Sequence, residues 1–264
     1  MNKAKIKSTL LDCLEKAGKE LKRSINLKKS IVKKSELSLV TQVDKKCERI
    51  IIQAIRKTFP DHALLTEESP PMGSSSSRWI IDPLDGTTNF AHSFPIACVS
   101  IGYEENGVLM MGGVYDPFKD ELFIGIKGGG ATLNGKKIKV SPTKKLSESL
   151  LCTGFPYDRR NYPDDYLSLF RAYLMEVQGI RRTGSAALDL SYVACGRFDG
   201  FWETKLQPWD KAAAMVILEE AGGTLTNFKG ERLTLTDVQN VVSNGKIHAE
   251  MVAITKKFLI VGTR

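Results

Sequence analysis

Trp79-Ile80-Ile81-Asp82-Pro83-Leu84-Asp85-Gly86-Thr87-Thr88-Asn89-Phe90 passes from a strand pattern to a helix start within a few residues. The apolar run at 79–81 predicts a buried strand that delivers Asp82 to the edge of a sheet. Pro83 disfavours helical backbone at Asp82, so the carboxylate stays at the strand end. Asp85 follows after one turn, near enough for both acids to face one site. Gly86 lets the backbone tighten, and Thr87, Thr88 and Asn89 can open a helix. The free N–H groups and partial positive charge of a helix start seat a phosphate. Two hard carboxylates beside such a seat suit Mg²⁺, which takes oxygen ligands and bridges protein to substrate phosphate. Either aspartate alone reads as a turn or N-cap residue; the pair joined to Gly-Thr-Thr-Asn points to chemistry.

Other acids are ambiguous by residue type. Glu67-Glu68-Ser69 follows the apolar Ala63-Leu64-Leu65 and by itself reads as a solvated cluster. Asp44, after Leu39-Val40-Thr41-Gln42-Val43, reads as a helix-start residue. Asp210 in Pro208-Trp209-Asp210 falls in a first helical turn, where an acid complements the dipole without further function.

Around these motifs the chain divides into an N-terminal half (1–145) and a C-terminal half (146–264). Ile6, Leu10, Leu14, Ala17 and Leu21 predict an amphipathic helix over roughly 3–25, and Val43, Cys47, Ile50, Ile51 and Ala54 a second near 43–58. Pro70, Pro71, Gly73 and Ser74 to Ser77 predict a flexible loop. Apolar segments at 97–103, 108–115 and 121–126, with Asn134-Gly135 beyond them, predict an antiparallel meander. From 146 strands and helices alternate: strands at 150–153, 200–203, 224–227 and 240–243, and helices at 163–177, at 185–195, from Pro208 to Gly222, and from 246. An antiparallel sheet followed by mixed α and β predicts two stacked halves.

Composition narrows the class. The 264 residues are 42% hydrophobic and 26% charged, values of a globular protein with a real core. No apolar run reaches the roughly 20 residues that span a bilayer, and the basic N-terminus lacks the h-region of a signal peptide. Cys13, Cys47, Cys98, Cys152 and Cys195 are odd in number and never form CxxC, which fits reduced thiols in a cytoplasm. His62, His92 and His248 pair with no cysteine at zinc spacing. The net charge of +8 is concentrated early, at Lys3, Lys5, Lys7, Lys16, Lys19, Lys22, Arg23, Lys28, Lys29, Lys33 and Lys34. Without interleaved aromatics this reads as a solvated helix face, not a nucleic-acid surface.

The motifs together resemble the inositol monophosphatase family. The resemblance rests on Asp82-Pro-Leu-Asp85-Gly-Thr-Thr-Asn-Phe and Trp209-Asp210-Lys-Ala-Ala, preceded by Glu67-Glu68-Ser69 and Gly184-Ser185-Ala186-Ala187, and it runs from about Leu39 to Asn244. It implies a mixed α/β (α+β) fold, the layered α/β/α/β/α sandwich of the inositol monophosphatase and sugar phosphatase type. It assigns two to three Mg²⁺ ions to Glu67, Asp82, the Leu84 carbonyl, Asp85 and Asp210. Asp44 and Thr87 would orient and deprotonate the attacking water, with Glu67 sharing that water. Gly86, Thr87 and Thr88 would hold phosphate; Asp85, Ser185, Ala186 and Glu203 would approach the alcohol.

The implied activity is Mg²⁺-dependent hydrolysis of a small phosphate monoester, led by inositol 1-phosphate. Fructose 1,6-bisphosphate is the runner-up, and a non-catalytic interaction protein is the rival of another class. Thr88-Asn89 stands where nucleotidase relatives carry Lys-Glu, which favours the inositol branch. A cytoplasmic, lithium-sensitive homodimer is implied as well, with neither membrane nor nucleic acid as partner. Ser38, Thr66 and Ala214 depart from the commonest pattern, as does Lys211, which lysine's habit places in solvent.

Overall fold

The computed structural model describes residues 3–27, 31–33, 39–259 and 261–263. Lys28, Lys29, Lys34 and Ser38 lie outside them, as does the side chain of Lys33. Helix α1 (Lys3–Ser24) buries Ile6, Leu10, Leu14, Ala17 and Leu21, the stripe its sequence predicts. Its opposite face carries the exposed pairs Lys16–Asp12 and Lys19–Glu15, so that much of the basic density is a solvated helix surface. Strands β1 (Ile31–Lys33) and β2 (Leu39–Thr41) pair antiparallel. Thr41 then caps α2 (Gln42–Thr58), accepting from Val43 N at 3.1 Å while Asp44 accepts from Thr41 N at 2.8 Å.

A seven-stranded sheet runs in chain order through β3 (Ala63–Thr66), β4 (Ser77–Asp85), β5 (Cys98–Glu105), β6 (Val108–Asp116), β7 (Glu121–Ile126), β8 (Gly130–Leu133) and β9 (Lys136–Lys137). The meander lies where its alternation and turns place it. The parallel pair β3–β4 was not legible, because β3 is too short to show a period. Nor is the Pro- and Ser-rich segment wholly loose: Met72 exchanges two 2.9 Å backbone hydrogen bonds with Leu64, and β4 already starts at Ser77. Helix α3 (Thr87–Ala91) follows β4 directly.

The second sheet has the order β11-β10-β12-β14-β13, built from β10 (Leu150–Thr153), β11 (Gly179–Arg181), β12 (Gly200–Thr204), β13 (Thr224–Thr226) and β14 (Gln239–Ser243). Helices α4 (Pro163–Leu174), α5 (Ala186–Ala194), α6 (Pro208–Glu220) and α7 (His248–Thr255) are interspersed. Three apolar cores separate five layers. One lies between α1 and α2 and the first sheet, one around α5 and α6 between the sheets, and one under α4 and α7 on the far side of the second. This is the α/β/α/β/α sandwich.

Close approach sets the central layer. Gly102, Gly112 and Gly125 are in-register neighbours across β5, β6 and β7. A Cβ built on them would stand 2.9 Å from Ala212 Cβ, 2.1 Å from the Ala213 carbonyl oxygen and 2.6 Å from Ile217 Cα, respectively. The absence of side chains along this row lets the backbone of α6 lie directly on the sheet. The helix that carries Asp210 is thereby fixed in depth relative to β4, which carries Asp82 and Asp85. Among the described residues no helix is long and apolar enough to cross a membrane.

Candidate active site

Strand β4 breaks register between Asp82 and Asp85, turning both carboxylates out of the ladder. Asp82, 2% exposed, accepts from Leu84 N at 3.0 Å. Gly86 has φ +95°, and a Cβ there would meet the Ile96 carbonyl at 2.8 Å, so the strand-to-helix turn demands glycine. The turn leads into α3, where Thr88 is exposed and Thr87 buried. The Thr87 hydroxyl lies 3.1 Å from Asp44 Oδ1 and 3.0 Å from the Leu84 carbonyl, with either as acceptor. Asp44, fully buried, also accepts from Thr41 N and Oγ1. Burial raises its pKa, and the Thr41 and Thr87 donors work against that rise.

Asp85 reaches across to the other half. Its Oδ2 accepts from Ser185 Oγ at 2.6 Å and from Ala187 N at 2.7 Å, so it satisfies the start of α5. Ser185 is thus engaged with Asp85 while Ala186 remains partly exposed beside it. Asp210 sits in the first turn of α6 and accepts from Gln207 N at 2.7 Å. Glu67 follows the end of β3.

The charges of these four carboxylates act on one another. Burial and then the charges of Glu67, Asp85 and Asp210 hold Asp82 well above the usual carboxylate range. Asp210 is raised in the same way, by burial first and by Asp85 and Glu67 among its neighbours. Asp85 is pushed up to about 6 by burial, against the pull of Ser185 and Ala187. Asp82, Asp85 and Asp210 pair with no lysine or arginine among the described residues. Buried, mutually repelling oxygens of this kind fit a hard divalent cation. As they stand, no three His, Cys, Asp or Glu side chains among the described residues form a finished ligand cluster.

Glu203 on β12 adjoins this group. Burial and the charge of Asp189 push its carboxyl up to about 8, against Arg182. Its carboxylate lies flat against Gly154, where a Cβ would come within 2.2 Å of both oxygens.

Several neighbours escaped sequence reasoning. Asp189, buried on α5, accepts from Thr183 Oγ1 at 2.7 Å. Asn89 Nδ2 donates to the Ile96 and Thr183 carbonyls, both at 2.9 Å, tying α3 to the approach to α5. Tyr157 is half-exposed, yet burial and the field of Glu67, Asp85, Asp210 and Asp82 push its phenol up to about 12. Nothing in the local sequence marks Tyr157. Glu48 was within reach, since it lies one helical turn after Asp44 on one face of α2.

Lys211 corrects an expectation. It does not face solvent but is fully buried, donating to the Asp237 carbonyl at 2.5 Å and Asn240 Oδ1 at 3.1 Å. Because α6 is packed between the two sheets, the position after Asp210 has no route to water, and burial pulls the ammonium down to about 8.

The family model described as "Inositol monophosphatase family" matches residues 2–259. The chain belongs to the inositol monophosphatase family. Within this Mg²⁺-dependent family, an inositol-1-monophosphatase of Synechocystis sp. is 48% identical over 81% of this chain and 75% of its own length. The Nus factor SuhB of Escherichia coli K12 is 41% identical over 83% of each chain. The solved inositol monophosphatase of Anabaena (Nostoc) superposes with a TM-score of 0.89 at 43% identity, covering 98% of each chain. Kinship at this level supports hydrolase activity for this member of the inositol monophosphatase family.

Proposed function

We propose that the protein is a Mg²⁺-dependent phosphatase of small polyol phosphate monoesters, with inositol 1-phosphate its leading substrate. The observation that carries this reading is the set of four mutually repelling carboxylates, Asp82 buried and Glu67, Asp85 and Asp210 half-buried, beside the Asp44–Thr87 hydrogen bond. Glu67, Asp82, the Leu84 carbonyl, Asp85 and Asp210 would hold two to three Mg²⁺ ions. When bound, these ions would neutralise the carboxylates, polarise the phosphoryl group and lower the pKa of water.

The remaining roles belong to the chain itself. Thr87 and Glu67 orient the attacking water. Its proton passes by way of the Thr87 hydroxyl to Asp44, which has an oxygen at hydrogen-bond distance for it. Gly86, Thr87 and Thr88 seat the phosphate at the start of α3. Water adds to phosphorus, the P–O ester bond breaks and the alkoxide leaves, taking a proton from solvent water while Asp44 returns its own to solvent; no side chain is phosphorylated. Glu203 and Ala186 flank the alcohol, while Ser185 acts there through its bond to Asp85. The free thiols Cys13, Cys47, Cys98, Cys152 and Cys195 suit a cytoplasmic protein. Homodimerisation and inhibition by lithium belong to the same reading.

The test is phosphate release with Mg²⁺ and with EDTA, on inositol 1-phosphate, fructose 1,6-bisphosphate, histidinol phosphate and adenosine 3′,5′-bisphosphate. Metal-dependent turnover fastest on inositol 1-phosphate is the expected result. Faster turnover of fructose 1,6-bisphosphate would reassign the substrate, and silence on all four would refute phosphatase activity. The relatives named Nus factor SuhB favour a second reading, in which the chain acts through a macromolecular partner. Retention of RNA by the folded protein without turnover would favour it.

A further inference from the structure

Asp44 and Glu48 stand one turn apart on α2 and brace two different parts of the site. Asp44 meets Thr87, at the phosphate seat. Glu48, 4% exposed, turns its carboxylate to the loop after β3: Oε2 accepts from Glu68 N at 2.9 Å, and Oε1 accepts from the Ser69 hydroxyl. Both donors directly follow Glu67. Thr66 Oγ1 donates to the Ser69 carbonyl at 3.2 Å, closing the loop across Glu67. An ionised carboxylate is the side chain suited to this task, because it offers two acceptor oxygens and no donor.

We infer that Glu48 is a positioning residue for the cation, holding the 67–69 loop so that Glu67 faces Asp82, Asp85 and Asp210. The inference rests on the Mg²⁺ reading of the site. Glu48 sets Mg²⁺ affinity without touching the ion, and α2 becomes a rigid bar linking the Glu67 loop to the phosphate seat. A partner of this kind orients a ligand in advance, and its loss is felt as weaker metal binding. Glu48 also borders a surface hollow of about 360 Å³ that includes Lys45, Arg49 and Gln53. Water entering there can solvate the Glu68 N–H and the Ser69 hydroxyl once the carboxylate is gone. Loss of the clamp therefore loosens the loop rather than unfolding the chain.

The experiment is Mg²⁺ titration by calorimetry on the full chain, wild type against Glu48→Gln and Ser69→Ala, with thermal melts in EDTA. Glu48→Gln should weaken Mg²⁺ binding by about 10-fold or more, and Ser69→Ala, which removes one of the two donors, by less. Phosphate release should show the half-saturating Mg²⁺ concentration raised in step, with kcat restored at high Mg²⁺. A merely structural residue would lower the melting temperature in EDTA and leave Mg²⁺ affinity unchanged; that result overturns the proposal while the metal reading stands. If Glu48→Gln fails to fold, Ser69→Ala decides alone, and unchanged affinity in it overturns the proposal. No Mg²⁺ binding by the wild type would overturn the metal reading and the proposal together.

Discussion

Replacing Gly112 by alanine tests the claim that α6 owes its depth to the glycine row. The new Cβ would lie 2.1 Å from the Ala213 carbonyl oxygen, against 3.4 Å or more in an ordinary contact. Helix and sheet must then part by about 1 Å, since backbone faces backbone and no rotamer can relieve the clash. Overpacking of this kind costs about 3 kcal/mol, the upper end of its usual range. Alanine recovers roughly 0.5–1 kcal/mol by restricting the unfolded chain. The clash wins, leaving a net loss of about 2 kcal/mol, or a fall in melting temperature of about 4–8 °C for a chain of this size. Thermal and urea unfolding of Gly112→Ala, Gly125→Ala and Gly102→Ala measure it. The losses should rank inversely with the clash distances of 2.1, 2.6 and 2.9 Å. Gly112→Ala within about 0.5 kcal/mol of wild type, the usual range for a surface change, would refute the reasoning, as would a reversed order.

Asp44→Asn should lower turnover by about 10²–10⁴-fold, the usual contribution of a general base, because the amide cannot take the proton Thr87 passes on. Mg²⁺ affinity by calorimetry should be unchanged, and a marked loss of it would remove Asp44 from the role of base. His248 gives a pH prediction: it is buried between Thr226 Oγ1 and Ser243 Oγ, each 2.9 Å away, and burial depresses its pKa from 6.5 to about 4. The unfolded chain takes up this proton at a higher pH than the folded one. The stabilisation is therefore fully present above pH 6.5 and is lost as pH falls toward about 4, by up to about 3 kcal/mol. Urea unfolding of His248→Gln should show a flatter fall over that window, and parallel curves would contradict the account.

The legible parts of the fold are those with a repeating local cause. The stripe of α1, the alternation of β5 to β7 and the Asn134-Gly135 turn each repeat a period or a turn signal within a few residues. Strands β3 and β11 carry too few residues for a period, and their pairing is settled by neighbours remote in sequence. The glycine row was present in the sequence but silent. Only cross-strand register shows that Gly102, Gly112 and Gly125 meet one helix. Asp82, Asp85 and Gly86 announced themselves because strand end, turn and helix start are contiguous. Lys211 misled, since lysine's preference for water is a property of the side chain and its burial a property of the layer around it. Glu48 could have been read from its place one helical turn after Asp44, whereas Tyr157 comes near these carboxylates only through a loop folded back from elsewhere, for which local sequence offers no sign.

The most direct test of the central claim compares phosphate release from inositol 1-phosphate by the wild type and Asp82→Asn, each with Mg²⁺ and with EDTA. The account predicts wild-type turnover that requires Mg²⁺, and its loss in Asp82→Asn although that protein remains folded. Turnover that survives EDTA, or that persists undiminished in Asp82→Asn, would contradict it.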